Sequence, residues 1–265
     1  MSALASHRWL ESLVLVVVLV LVMFAALYAV RNFRRSELGI ETRDLRPHQL
    51  STMTLTLGLL SLGCGAAFAF ARVAREMVEG ETTEMDRVGA LAVHSIDTPA
   101  LDVVMRGFTF MGSAFALLPF CIGVGAWALY KKDRRGALVL VIVVVMTEAL
   151  NFVLKLMFAR PRPTLFQEIA TLDSYSFPSG HAMAAVAIYG TVGVIVSRLV
   201  LSHRRGVIVV LIFLVSMICI SRIYLGVHWP TDVIAGAAVG AFVLLAGATT
   251  LAKIPSSVKS KKPAE

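Results

Sequence analysis

The sequence has few charged residues and long stretches that contain none. Only 16% of its 265 residues are charged, whereas 57% are hydrophobic and the mean hydropathy is +0.79. A soluble domain of this length needs far more polar surface to cover its core. The composition therefore excludes an ordinary soluble protein and indicates a membrane protein.

Cysteines and acidic clusters are also scarce. The three cysteines, Cys64, Cys121 and Cys219, each lie inside an apolar stretch, and their spacing fits no zinc motif. A thiol in such a place behaves as a small hydrophobic group. No cluster of Asp and Glu resembles a Mg²⁺ or Ca²⁺ site. We therefore expect no metal and no cofactor.

The net charge of +8 and the pI of about 9.8 would suit a protein that binds nucleic acid. The basic residues, however, lie in short clusters between apolar stretches. That placement is typical of membrane topology, so we expect membrane lipids as partners and no nucleic acid.

Seven apolar stretches have the roughly 17 to 25 residues that a helix needs to cross a bilayer. Lipid cannot satisfy exposed backbone groups, so these stretches must be helical. The predicted fold class is all-α, a polytopic membrane bundle with a six-span core and one extra N-terminal transmembrane helix. The predicted spans are Leu10–Val30, Leu50–Ala71, Gly107–Tyr130, Gly136–Leu154, His181–Leu201, Gly206–Tyr224 and Thr231–Leu251.

The spans divide the chain into three parts. Residues 1–48 form an N-terminal transmembrane helix with a basic cytoplasmic loop, 49–252 form the core, and 253–265 form a basic cytoplasmic tail. Within the core, residues 72–105 predict an outer loop with short, partly amphipathic helices and a boundary at Pro99. Its carboxylates predict a solvated face, and a gate over the substrate is the alternative. Small residues in the second span predict close helix contacts, within the chain or between chains. They are Gly58, Gly63 and Gly65.

Lys and Arg cluster in alternate connections, at residues 31–46, 130–136, 197–206 and 253–262. The positive-inside rule assigns these connections to the cytoplasm of a multi-pass cell-membrane protein. A cleaved signal peptide is an alternative for the first span. The basic cluster follows this span instead of preceding it, which is the wrong charge order for a signal peptide. We therefore expect a retained span with its N-terminus outside.

Three polar stretches remain, all at the outer ends of spans. The first contains Lys155, Arg160 and Arg162-Pro163. Such cations can be interface anchors, but Arg also grips phosphate oxygens in pairs and Lys supplies a point charge. Arg160 competes with Arg162 for the phosphate. Glu148 and Asn151 share the helix face of Lys155, and we expect Glu148 to support the site or to pack against a neighbouring helix.

The second stretch is Pro178-Ser179-Gly180-His181, just before an apolar span. It predicts a turn and a capped helix start, and the same geometry directs backbone N–H groups toward an anion. The alternative is an N-cap with no ligand.

The third stretch contains Arg222, His228 and Asp232. Pro230 suits the first turn of a helix and would hold Asp232 one turn inside it. A carboxylate that binds one imidazole nitrogen leaves the other free and basic, as in an activated nucleophile. A structural hydrogen bond between His228 and Asp232 is the alternative.

Together the three stretches resemble the type-2 phosphatidic-acid phosphatase family, and residues 101–113 (LDVVMRGFTFMGS) are similar to its bacterial members. This family shares its site with vanadium haloperoxidases. Its pattern is Lys, six residues, Arg-Pro; then Pro-Ser-Gly-His; then Ser-Arg, five residues, His, three residues, Asp. The sequence matches it at Lys155, Arg162, Pro163, Pro178, Ser179, Gly180, His181, Ser221, Arg222, His228 and Asp232.

The resemblance implies a metal-independent lipid phosphatase that works through a phosphohistidine on the outer face. His228 would be the nucleophile, Asp232 would orient it, and His181 would be the general acid and base. The phosphate ligands would be Lys155, Arg162, Ser179, Gly180 and Arg222.

The resemblance also implies a lipid phosphate or diphosphate as the substrate, and undecaprenyl diphosphate is the leading candidate. One alternative is a lipid phosphotransferase with the same site. A second is a non-catalytic protein that binds or translocates lipid, which the complete set of motifs disfavours. A small-ion transporter is disfavoured because most spans lack polar residues at mid-membrane depth.

Overall fold

A computed structural model describes residue 20 and residues 47–165, 174–200, 202 and 204–252 of the chain. Over these residues the protein is all helical, with no strand, as the sequence predicts. The predicted N-terminal span, Leu10–Val30, and the basic tail lie outside the described residues, apart from Val20, which packs against the main core.

The helices follow one another with short connections. In chain order they are α1 (Pro47–Glu79), α2 (Thr83–His94), α3 (Pro99–Met111), α4 (Ala114–Tyr130), α5 (Arg134–Phe158), α6 (Gly180–Ala184), α7 (Gly190–Leu199), α8 (Arg204–Tyr224) and α9 (Pro230–Leu251). A π-helical turn, Ala185–Tyr189, joins α6 to α7, so that Gly180–Leu199 is one apolar span.

In the described part of the chain, five segments are long and apolar enough to cross a membrane. They are Leu55–Glu79 in α1, α5, the α6–α7 segment, α8 and α9. These confirm five of the predicted spans. Helix α4 is apolar and has 17 residues, which is the lower limit of the length that a span needs.

The predicted span Gly107–Tyr130 is wrong at its start. Helix α3 continues to Met111, the helical conformation is interrupted at Gly112-Ser113, and a new helix begins at Ala114. The short helices expected within residues 72–105 are present as α2 and α3, which are bent by 119° to each other. Pro99 lies in the first turn of α3, the boundary that the sequence predicts.

Close packing around α9 depends on two glycines. A β-carbon at Gly236 would lie 2.4 Å from the carbonyl oxygen of Ser179, and one at Gly240 would lie 2.5 Å from that of Met183. Only glycine lets the two helices approach this closely. The close contacts expected at Gly58 and Gly65 are absent within the described part of the chain, because a β-carbon there meets nothing within 4 Å.

The polar stretches all lie at one end of this bundle, because α5 and α8 end where α6 and α9 begin. Ala159 ends α5 in the left-handed conformation, with φ of 46°, and Pro161 and Pro163 favour an extended backbone after it. Gly226 ends the turn after α8 with φ of 65°, which glycine adopts without strain. Pro230 then starts α9 at its first position.

Replacing Gly240 by valine should destabilise the protein, because the new side chain meets the backbone of the α6–α7 segment. Overpacking of this kind costs about 1–3 kcal/mol. Thermal unfolding in detergent should show a lower Tm for Gly240→Val. The matched control is Gly65→Val, where the same change points into open space. Equal Tm values for the two variants would contradict the packing at Gly240.

Candidate active site

The structure brings the residues of the three polar stretches together. Lys155 lies in the last turn of α5, His181 in the first turn of α6, and Arg222 in the last turn of α8. His228 lies just before α9, and Asp232 lies in the first turn of that helix. Four helix ends thus form one polar site at one end of an apolar bundle.

His228 and Asp232 form a buried pair. The Nδ1 atom of His228 lies 3.4 Å from Oδ2 of Asp232, and both side chains are almost completely buried. The backbone N–H of Trp229 donates to the same oxygen at 2.9 Å. Asp232 therefore faces one ring nitrogen and leaves Nε2 directed away from it.

Arg162 lies beside Nε2 of His228. Its Nη1 atom is 3.4 Å from Nε2 and donates to the carbonyl oxygen of Val227 at 2.7 Å. Nε and Nη2 donate to the carbonyl and hydroxyl oxygens of Ser174, both at 2.8 Å. Burial, together with the positive charges of Arg222, Arg162 and Lys155, holds the pKa of His228 well below its usual range. The ring is therefore neutral near pH 7.

Arg222 is buried behind this pair. Its Nη1 atom donates to the hydroxyl of Thr109 in α3, whereas its buried Nε has no hydrogen-bond partner among the described residues. An unpaired buried donor on a cation indicates a place for an anionic oxygen. Thr109 was not predicted, because its segment carries no motif that links it to α8.

Lys155 and the start of α6 complete the site. The Lys155 ammonium donates to the carbonyl oxygen of Tyr175. The positive charges of Lys155, Arg162 and Arg222 lie close enough to interact electrostatically with the His181 ring. Ser179 caps α6 with its hydroxyl, and its backbone N–H donates to the carbonyl oxygen of Asp232 at 2.9 Å. That N–H is therefore already bonded, unlike the expectation that it binds phosphate.

Gly180 lies against α5. A β-carbon there would be 2.8 Å from Nδ2 of Asn151, so Asn151 packs on the site as its position on the Lys155 face suggests. Glu148, on the same face, is exposed instead. The expectation that it supports the site or packs against a neighbour is wrong, since a shared helix face does not determine which residue meets another helix.

Arg160 does not compete with Arg162 for a phosphate. Its Nη1 donates to Asp232 at 2.6 Å and its Nη2 donates to Asp86 at 2.7 Å. Asp86 lies in α2 and is completely buried, so the expected solvated face is wrong at this residue. The expectation of a solvated carboxylate is correct for Glu84 on the same helix, because the Glu84 side chain is 70% exposed. No spacing rule could have found Asp86, because its partners lie more than 70 positions away.

Positive charge exceeds negative charge in this site. The site contains four cationic side chains and two carboxylates, which leaves a formal surplus of two positive charges. The carboxylates are those of Asp86 and Asp232, and the cations are Lys155, Arg160, Arg162 and Arg222. A phosphate dianion would balance it. Among the described residues, no group of three or more His, Cys, Asp or Glu is placed to hold a metal ion.

Comparisons with known proteins agree with this geometry. A model of the PAP2 superfamily matches residues 136–254. Phosphatidylglycerophosphatase B of Bacillus subtilis is 33% identical over 148 residues, which are 55% of this chain and 72% of that protein. An undecaprenyl-diphosphatase of Sulfolobus acidocaldarius is 33% identical over 120 residues, which are 43% of this chain and 55% of that protein.

A solved structure has the same fold. The crystal structure of a transmembrane PAP2-type phosphatidylglycerolphosphate phosphatase from Bacillus subtilis superposes with a TM-score of 0.65 at 28% identity, and the match covers 69% of this chain and 92% of that one. Residues 136–254, which the family model matches, include Lys155, His181, Arg222, His228 and Asp232. The chain therefore belongs to the PAP2 superfamily and is a membrane-embedded phosphatase.

Proposed function

We propose that the protein hydrolyses a lipid phosphate or diphosphate through a phosphohistidine on His228. The observation that supports this most strongly is the placement of the buried His228 ring, whose Nδ1 faces Asp232 while Nε2 lies beside Arg162. Nearby, Arg222 keeps a buried N–H without a partner among the described residues. The proposed nucleophile and the proposed phosphate ligands thus lie close together.

In the first step Nε2 of His228 attacks phosphorus in line with the leaving oxygen. An N–P bond forms, the P–O bond breaks, and His181, protonated once the bound phosphate dianion offsets the surrounding positive charge, gives its proton to the leaving oxygen. The ring becomes positively charged, and Asp232 stabilises this charge through Nδ1–H. Arg162, Lys155 and Arg222 hold the nonbridging oxygens, which carry most of the charge in phosphoryl transfer.

In the second step His181, now neutral, accepts a proton from water. The water oxygen attacks phosphorus, the N–P bond breaks, and its electron pair returns to Nε2 of His228. The products are inorganic phosphate and the dephosphorylated lipid. Fixed cations in a water-poor site can stabilise this charge directly, so we propose that the reaction needs no metal ion.

The site is proposed to lie on the outer face of the membrane. Lys131, Lys132, Arg134 and Arg135 precede or begin α5, at the opposite end from Lys155. The positive-inside rule assigns this basic end, and with it the C-terminal tail, to the cytoplasm. The site then opens at the level of the outer lipid headgroups.

A lipid substrate fits a polar site at the end of an apolar bundle. Undecaprenyl diphosphate is the leading candidate, and the relative from Sulfolobus acidocaldarius is named for its action on this lipid. Phosphatidylglycerophosphate is the second candidate. It is supported by the phosphatase of Bacillus subtilis, which matches a larger part of both chains than the relative from Sulfolobus acidocaldarius does. In each case the terminal phosphate would enter the pocket and the apolar tail would remain in the bilayer.

Replacing His228 by alanine should lower phosphate release by about a thousandfold or more, because the nucleophile is lost.

His181→Ala should accumulate phosphohistidine with a diphosphate substrate, since the leaving monophosphate needs little protonation but water still needs a base. The intermediate is measured as acid-labile ³²P bound to the protein after incubation with ³²P-labelled substrate. His94→Gln, a change outside the site, is the control. A folded His228→Ala variant with normal turnover would contradict the mechanism.

The purified protein should release inorganic phosphate from a lipid substrate in detergent without any acceptor. The panel contains undecaprenyl diphosphate, phosphatidylglycerophosphate, phosphatidic acid and lipid A phosphates, each with and without EDTA. We expect full activity in EDTA, because side chains hold the phosphate. Release that requires an added acceptor alcohol would indicate a phosphotransferase, and activity lost in EDTA would contradict a metal-free site.

Surface labelling tests the orientation. In a variant whose native cysteines are replaced by alanine, Glu84→Cys should react with an impermeant maleimide in intact cells, because Glu84 is exposed on α2 at the site end. Lys131→Cys, at the opposite end, should react only after permeabilisation. The reverse pattern would place the site on the cytoplasmic side.

A further inference from the structure

Arg160 lies between two buried carboxylates. Its Nη1 donates to Oδ1 of Asp232 at 2.6 Å, and its Nη2 donates to Oδ2 of Asp86 at 2.7 Å. The side chains of Arg160, Asp86 and Asp232 are 12%, 1% and 0% exposed. The arrangement joins α2, the segment after α5 and the first turn of α9.

Asp86 also binds the start of α9 directly. Its Oδ1 accepts the backbone N–H of Thr231 at 2.9 Å, and its Oδ2 accepts the Thr231 hydroxyl at 2.6 Å. The Arg160 guanidinium bonds to that hydroxyl at 2.9 Å. Thr231, the residue before Asp232, is therefore held by Asp86 and Arg160, and Arg160 also holds the Asp232 carboxylate.

These contacts divide the two oxygens of Asp232 between two functions. Oδ1 is bound by Arg160, whereas Oδ2 accepts the Trp229 N–H and faces Nδ1 of His228. Without Arg160 the carboxylate could rotate about its terminal bond. With Arg160 in place, only one oxygen is directed at the nucleophile.

We infer that Asp86 and Arg160 are positioning residues for the nucleophile, acting through Asp232. The inference rests on the proposed function, since it assigns a role in the attack by His228. Asp86 lies outside the three polar stretches, and Arg160 lies within the first of them but is not one of the residues that match the family pattern.

The charges of the three residues explain why two carboxylates are needed. When His228 attacks phosphorus its ring becomes positive, and Asp232 must remain negative to stabilise it. Arg160 alone, at 2.6 Å, would offset most of that negative charge. Asp86 on the other edge of the guanidinium compensates for Arg160, so that the cluster keeps one net negative charge beside the ring.

A purely structural role for the pair makes a different prediction. If Asp86 and Arg160 only fastened α2 to α9, their loss would lower the amount of folded protein, and each folded molecule would retain its kcat. If they position and balance Asp232, kcat falls in the folded molecules while KM changes little, because neither residue is proposed to touch the substrate.

The test compares Asp86→Asn, Arg160→Gln and the double variant, with kcat and KM measured per folded, monodisperse molecule. Asp86→Asn should lower kcat by up to about a hundredfold, with KM within about threefold. Arg160→Gln should also lower kcat, since it frees Asp232 beside a second carboxylate. The double variant restores the net charge of the cluster, so its kcat should exceed the product of the two single effects by about tenfold.

The control is Glu84→Gln, a change on the same helix at a carboxylate whose partner, Arg87, is exposed. It should retain the wild-type kcat. Arg160→Lys is a milder variant that keeps the charge but reaches one carboxylate only. It should have a kcat between those of the wild type and Arg160→Gln, and it provides a folded comparison if Arg160→Gln does not fold.

The possible failures are distinguishable. Wild-type protein without phosphatase activity would defeat the proposed function, and this inference with it. An active wild type and an inactive His228→Ala variant, together with near-normal kcat in folded Asp86→Asn, would overturn this inference alone. A raised KM at constant kcat, or a double variant whose losses simply multiply, would also overturn it.

Discussion

Several positive charges are buried at the end of an apolar bundle, and the rest of the site depends on how each is satisfied. A desolvated cation needs a close partner, or its burial is strongly unfavourable. Arg160 is paired with two carboxylates. Lys155, Arg162 and Arg222 instead bond mainly to neutral oxygens of carbonyl and hydroxyl groups. Their charge therefore remains available to attract an anion.

The packing of α9 keeps these charges in register. Gly236 lets the backbone of α9 touch that of Ser179, and the Ser179 N–H bonds to the carbonyl of Asp232. The first turns of α6 and α9 are thus joined through their main chains. His181 lies in the first of these turns and His228 lies just before the second, so their separation does not depend on long, flexible side chains. Such rigidity is what preorganised charge stabilisation requires.

The sequence predicted the all-helical class, most of the spans, and the residues that meet at one end of the bundle, because apolar length and motif order carry that information. It did not predict the break at Gly112, because a continuous apolar run hides a change of backbone direction. Arg160 and Arg162 looked equivalent, since their different partners depend on how the chain turns after Ala159. Asp86 reads as a surface carboxylate, because only tertiary packing buries it.

One cluster of cations can serve both the nucleophile and the substrate. Burial and the charges of Arg222, Arg162 and Lys155 hold the pKa of His228 low, which keeps Nε2, the proposed nucleophile, unprotonated. The carbonyl oxygens that now accept from Lys155 and Arg162 are neutral, so a phosphate oxygen in their place would form a stronger, charge-assisted hydrogen bond. A bound dianion would offset the positive field at the moment when the His228 ring gains positive charge. In the proposed mechanism Asp232 completes the stabilisation from the opposite side of the ring, and we infer that its charge is effective there because Asp86 balances Arg160.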